Sequence, residues 1–128
     1  MIIGTGCDLV PIERLREACE RTPSLSLRLF SPAELAGAQS RGSVVWQRLA
    51  GAFAAKEAAL KALGTGLRGG AFREVEVAHN EMGQPELRLS GHAATTAAAC
   101  GVRRWHLSIS HAEGMAMATV IAEGGEGE

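Results

Sequence analysis

The side chains in this sequence best suited to chemistry are Asp8, Glu57, Lys61 and His111, with the glycine-bearing run Gly64-Thr65-Gly66 beside them. In the stretch FAAKEAALKALGTG, Phe53, Glu57, Lys61 and Gly64 recur every three or four residues, so a helix would carry them on one side. A carboxylate and an amine then project together. Asp8 adds a second hard oxygen donor, and the Gly64–Gly70 loop offers unencumbered backbone N–H groups. Two carboxylates with a lysine suit a Mg²⁺–phosphate complex, because Mg²⁺ takes one or two carboxylates along with phosphate oxygens and waters. The same spacing also fits an i,i+4 surface ion pair of Glu57 with Lys61, worth about 0.3–0.5 kcal/mol. The chain has only two lysines against eleven arginines, and both, Lys56 and Lys61, lie in this stretch.

Other chemistries are excluded by what surrounds their residues. His111 closes Ser108-Ile109-Ser110-His111, but no nucleophile elbow surrounds either serine and no acid is assigned to orient the imidazole, so a Ser/His/Asp triad is rejected. The Gly4-Thr5-Gly6 pair lacks the third glycine and the strand-to-helix setting of a dinucleotide fingerprint. Cys7, Cys19 and Cys100 have no metal-ligand spacing and are odd in number, which reads as buried small hydrophobes in a reducing cytoplasm.

The elements that must position these groups follow from periodicity and punctuation. Residues 1–10 read as a buried strand, with Ile3, Thr5, Cys7 and Leu9 on one face and Ile2, Gly4, Gly6 and Asp8 on the other. Two glycines beside an acid on one face predict that something approaches the backbone there. Pro11 opens a helix with an Ile12, Leu15, Cys19 stripe, leaving Arg14 and Arg21 facing outward. Ser31, Pro32 and Glu34 spell a capping box, and a long helix is predicted from about Val44 to Leu63. Beyond the glycine loop come a hairpin over residues 74–89, an alanine-rich helix over Ser90–Cys100, and strands over Arg104–His111 and Met115–Ala122 joined at Ala112-Glu113-Gly114. Five strands and three or four helices predict an α+β domain, its mainly antiparallel sheet packed against one long and several short helices.

At 128 residues the chain suits one domain, taken as residues 1–123, with 124–128 as a disordered acidic tail. No stretch is long and apolar enough for a membrane span and no signal peptide is evident, which predicts a soluble cytoplasmic protein. Charge is uneven. Residues 1–73 carry ten basic and six acidic groups, residues 74–128 three and eight, so the first part could face an acidic partner or a polyanionic ligand.

IIGTGCDLVPIERL, FAAKEAALKALGTGL and WHLSISHAEGMAMATVIAE, in this order and spacing over nearly the whole chain, resemble holo-acyl-carrier-protein synthase, the short class of 4′-phosphopantetheinyl transferase. The resemblance implies transfer of phosphopantetheine from coenzyme A (CoA) to a serine of an apo acyl carrier protein, releasing adenosine 3′,5′-bisphosphate. It further implies a homotrimer with active sites at subunit interfaces and a place in fatty acid biosynthesis. By it, Asp8 and Glu57 hold Mg²⁺, and Lys61 lies beside the CoA pyrophosphate. Gly64, Thr65 and Gly66 run along the nucleotide, His111 stands near the CoA phosphates, and Arg14, with Arg21 of the same basic helix, docks the acidic carrier. Glu57, Lys61 and His111 form its catalytic set. The serine's base is left open between Glu57 and a metal-bound water. Gln84-Pro85 and His111 are the groups a neighbouring subunit would offer to CoA.

Two departures stand out. Many relatives have Arg where this chain has Ala52, and Arg48, one turn earlier on the same face, could supply that phosphate contact. Some have Asp where this chain has Ala112. A Mg²⁺-dependent CoA or nucleotide pyrophosphatase would use the same acids and lysine, and a catalytically dead CoA-binding module would keep only the glycine loop.

Overall fold

The computed structural model describes residues 1–125, and residues 126–128, the end of the expected acidic tail, lie outside them. Among the described residues there are two antiparallel sheets and five α-helices, as the α+β expectation required. The first sheet has the order β1 (Ile2–Pro11), β5 (Met115–Gly124), β4 (Val102–Ala112), and the second is the hairpin of β2 (Val75–His79) and β3 (Pro85–Leu89). Gly124, expected in the tail, instead ends β5 and donates its N–H to Met1 O at 2.7 Å. The β4–β5 turn needs only Glu113 and Gly114, with φ of 54° and 74°, a backbone that favours glycine and strains Glu113.

Helices α1 (Ile12–Arg21), α2 (Ser24–Leu29) and α3 (Pro32–Gln39) lead into the central helix α4 (Val45–Leu63), and α5 (Gly91–Ala99) follows the hairpin. The capping box forms as expected: Ser31 Oγ accepts from Glu34 N–H, and Glu34 Oε1 accepts from Ser31 N–H. Gly64 closes α4 with φ of 75° and its N–H on Lys61 O. Helix α2 had no counterpart in the sequence reading.

Alanine dominates the contact between α4 and the sheet. Ala50, Ala54, Ala55, Ala58 and Ala59 are fully buried against Ala116, Ala118, Val120 and their neighbours. Such short side chains bring backbones close, and β1 meets this with glycine. A Cβ at Gly4 would run into the carbonyl oxygen of Ala62, and one at Gly6 into that of Ala58. What approaches the glycine face of β1 is therefore helix α4. Lower down, a Cβ on Gly51 would stand 3.0 Å from Ile109 and 3.1 Å from His111 Nε2 on β4. Helix α4 thus crosses the sheet obliquely, its first half over β4 and its second half over β1.

β1 is not a buried strand, because only one face is covered. A register irregularity between Ile2 and Gly4 lets Ile3 pack on the core while Ile2, Thr5, Cys7 and Leu9 face out. Cys7 is therefore exposed, as is Cys100 at the end of helix Gly91–Ala99, and only Cys19 is the buried thiol expected of all three.

Candidate active site

Asp8 projects from the glycine face of β1 toward the second half of α4, where Glu57 and Lys61 stand one turn apart. Lys61 Nζ donates to Asp8 Oδ1 at 2.8 Å and to Cys7 O at 3.0 Å. Its ion pair is thus with Asp8, not with Glu57 along the helix. Glu57 is half-buried and hydrogen-bonds to Asp8. Burial, that hydrogen bond and the charge of Asp8 together push its carboxyl up to about 7, with Lys61 opposing. The Asp8 hydrogen bond, more than any other contact, raises the Lys61 ammonium.

Two carboxylates close enough to share a proton, with one exposed ammonium as partial counter-charge, make a donor set that fits a small divalent cation. Among the described residues no cluster of three or more His, Cys, Asp or Glu side chains could ligate a metal. Asp8 and Glu57 would hold such an ion, which commonly keeps water and phosphate oxygens in the rest of its shell.

An apolar groove of about 290 Å³ adjoins this cluster, walled by Leu9, Leu15, Leu25, Leu29 and Phe53, with Arg14 and Glu57 at its polar margin. Arg14 and Arg21 make no ion pair among the described residues, whereas Arg16 between them is tied to Glu13 and Glu20 at 3.8 and 3.3 Å. They are the basic groups of α1 left for a partner. Leu25 and Leu29 come from α2, so this groove had no signal in the sequence reading.

The remaining candidates lie elsewhere. Arg48, Ala52, Pro85 and His111 line a cavity of about 500 Å³ between the first half of α4, the β2–β3 hairpin and β4. His111 is fixed by Nε2 on Gln47 O at 2.9 Å, and Pro85 pairs with His79 across the hairpin. Because Arg48 and Ala52 border the same cavity, the arginine at 48 reaches the space an arginine at 52 would enter. Arg48 and Glu57 are nine residues apart, two and a half turns, and so on opposite sides of α4. The structure therefore gathers Asp8, Glu57 and Lys61 on the β1 flank and Arg48, Pro85 and His111 on the β4 flank. Gly64, Thr65 and Gly66 sit past the end of α4, leading into a 3-10 turn over Gly66–Gly69 that His92 Nε2 engages at Arg68 O, 3.0 Å.

Lys56, the second lysine of the central motif, is in neither group. It is fully buried, with Nζ 2.7 Å from Glu34 Oε1 and donating to Phe72 O at 2.9 Å and Val75 O at 2.8 Å. Glu34 also accepts from Val77 N–H at 2.7 Å. Burial pulls the Lys56 ammonium down, while Glu34, and Glu76 beyond it, hold it up. This satisfied network ties the start of α3 and strand β2 to α4 at the residue before Glu57.

A family model described as the 4′-phosphopantetheinyl transferase superfamily matches residues 4–120. The chain is 51% identical over 127 residues to a holo-[acyl-carrier-protein] synthase of Streptomyces griseus, covering 97% of this chain and 100% of that one. Among solved structures it resembles the holo-[acyl-carrier-protein] synthase of Neisseria meningitidis, with a TM-score of 0.87 and 35% identity over 96% of this chain and 99% of that one. It also resembles the Bacillus anthracis synthase in complex with CoA (3′,5′-ADP), with a TM-score of 0.80 and 32% identity over 98% and 99% of the two chains. The chain belongs to the phosphopantetheinyl transferases, in the family of the holo-[acyl-carrier-protein] synthases. It is accordingly a transferase enzyme, and no helix among the described residues is long and apolar enough to cross a membrane.

Proposed function

We propose that the chain moves 4′-phosphopantetheine from CoA to a serine of an apo acyl carrier protein, with the Asp8–Glu57–Lys61 cluster at the reacting phosphorus. The observation that carries this reading is the contact of Lys61 with Asp8 beside a half-buried Glu57, in a chain of this family. In the reaction the serine oxygen bonds to the β-phosphorus of the CoA pyrophosphate. The bond from that phosphorus to the bridging oxygen breaks, and adenosine 3′,5′-bisphosphate leaves with the electron pair. Lys61, exposed at its tip and anchored to Asp8, stabilises charge gathering on the leaving phosphate. Glu57, half-buried beside Asp8, or a water held with the metal, would accept the serine proton. Asp8 holds Lys61 in line. A Mg²⁺ ion bound between Asp8 and Glu57 would supply charge neutralisation and orientation of the pyrophosphate.

Arg14 and Arg21 would receive the acidic carrier, with the apolar groove beside Arg14 leading its serine toward Glu57. Arg48, Pro85 and His111 would hold the nucleotide end of CoA, with Gly64, Thr65 and Gly66 along its phosphates. One chain presents these two groups on opposite sides of α4, so a single CoA molecule meets both only if the second comes from a neighbour. The outer face of the three-stranded sheet supports assembly. Ile2, Leu9, Met117 and Ile121 are 62%, 58%, 37% and 39% exposed on it, an apolar area that calls for a partner. A homotrimer acting in the cytoplasm, in fatty acid biosynthesis, completes the reading.

Intact mass of an apo carrier protein after incubation with CoA, Mg²⁺ and this chain tests it. A gain of one phosphopantetheine is expected. CoA breakdown with an unmodified carrier would support the pyrophosphatase, and no change in either would support a binding module.

A further inference from the structure

Arg48 borders its cavity half-buried, and among the described residues no carboxylate lies within ion-pair distance of it. Burial, and the like charge of Arg41, pull its pKa down. The carboxylates in the same wall are engaged. Glu34 is held by Lys56 and by the N–H groups of Ser31 and Val77, and Glu76 takes the Ser31 hydroxyl at 2.6 Å. The hydrogen bond Arg48 does make runs from Nη2 to Nδ1 of His79, 2.9 Å away on β2. A guanidinium can only donate, so Nδ1 accepts and the single imidazole proton sits on Nε2. That Nε2–H has no partner among the described residues. Arg88, on the neighbouring strand β3 and loosely tied to Glu86 at 3.9 Å, lines the same cavity.

A partly desolvated guanidinium without a protein counter-charge, beside an imidazole locked as a donor, is an arrangement complete only around an anion. We propose that Arg48 holds His79 by its Nδ1 and so aims the Nε2–H of His79 at a phosphate group of CoA, the imidazole donating directly and thereby helping to set affinity. The inference rests on the transferase reading, in which His79 has no part. CoA offers two anionic sources, its ribose phosphate monoester and its pyrophosphate, and dephospho-CoA, which lacks the first, separates them.

Calorimetric titration of the full chain with CoA and dephospho-CoA would compare wild type with three variants. His79→Leu is expected to weaken CoA binding about tenfold, in keeping with loss of a charge-assisted hydrogen bond. His79→Gln, which can still accept from Arg48 and donate outward, should recover most of that loss. His79→Glu should pair with Arg48 and so fold well, yet weaken CoA about a hundredfold by placing an anion where the phosphate belongs. If the loss disappears with dephospho-CoA, the grip is on the ribose phosphate; if it persists, on the pyrophosphate. Unchanged CoA affinity in His79→Glu, or equal losses in His79→Leu and His79→Gln, would overturn the inference while leaving the transferase reading intact. Failure of the wild-type chain to bind CoA would overturn both.

Discussion

Lys61 Nζ lies 2.8 Å from Asp8 Oδ1, a residue 53 positions away, rather than pairing with Glu57 one turn earlier on its own helix. The contact fixes the mobile ammonium beside both carboxylates. Lys61→Arg keeps the charge but replaces a compact donor with a planar fork, so kcat should fall about 100-fold from misplacement of the charge while CoA still binds. Single-turnover kinetics beside equilibrium CoA binding separates the two effects, and an unchanged kcat would place Lys61 outside the chemistry.

Glu57 makes stability depend on pH. Its carboxyl titrates near 4.5 in the unfolded chain and at about 7 in the folded one, so between these values the folded state binds more protons. The contribution of Glu57 to the stability of the metal-free chain, read as the difference between wild type and Glu57→Gln, should therefore fall as pH rises from about 4.5 to about 7 and level off above. Added Mg²⁺ should raise Tm more at pH 8 than at pH 5, because only the ionised pair holds it. Thermal melts across pH, with and without Mg²⁺, check both signs.

Much of this arrangement was legible in the sequence. The capping box, the long helix with its glycine stop, both hairpins and the one-turn spacing of Glu57 and Lys61 follow from local pattern, while the place of Asp8 beside them followed from the family resemblance. What escaped depends on tertiary contact. Lys56 shows no sign of burial in FAAKEAALK, because Glu34 and the carbonyls of Phe72 and Val75 that make burial tolerable come from distant elements. His79 and Arg48 meet across 31 residues. The one-residue irregularity near Ile3, which moves Ile3 to the core side, and the uncovered sheet face, which leaves Cys7 outside, have no local signature either.

The buried Lys56–Glu34 pair should be costly to break on one side. Lys56→Met leaves a carboxylate buried without its counter-ion and should destabilise the chain by about 3–5 kcal/mol. Adding Glu34→Gln should return part of that loss, as read by denaturant unfolding of the four chains of the cycle.

Close packing of β1 against α4 makes Gly6 intolerant of even a methyl group. Gly6→Ala would press Cβ into the carbonyl of Ala58, a backbone atom that cannot rotate away. A loss of about 3 kcal/mol is expected, at the upper end for overpacking. Thermal unfolding reads it.

Arg14 is exposed, unpaired by ion pairs and at the margin of the groove beside Glu57. Arg14→Glu should raise KM for the acidic carrier, most strongly at low salt, and leave CoA affinity nearly unchanged. Equal losses for both substrates would show that Arg14 supports the fold or the CoA site instead.

The proposed active site is divided between the two flanks of α4 and completed by a second copy of the chain. Mixing Glu57→Gln protein with His111→Ala protein, each inactive alone, and assaying carrier modification after subunit exchange measures this directly. Recovered activity, from interfaces that unite an intact β1 flank with an intact β4 flank, is the predicted result. A fully active monomer in sedimentation, or exchanged assemblies with no recovered activity, would contradict it.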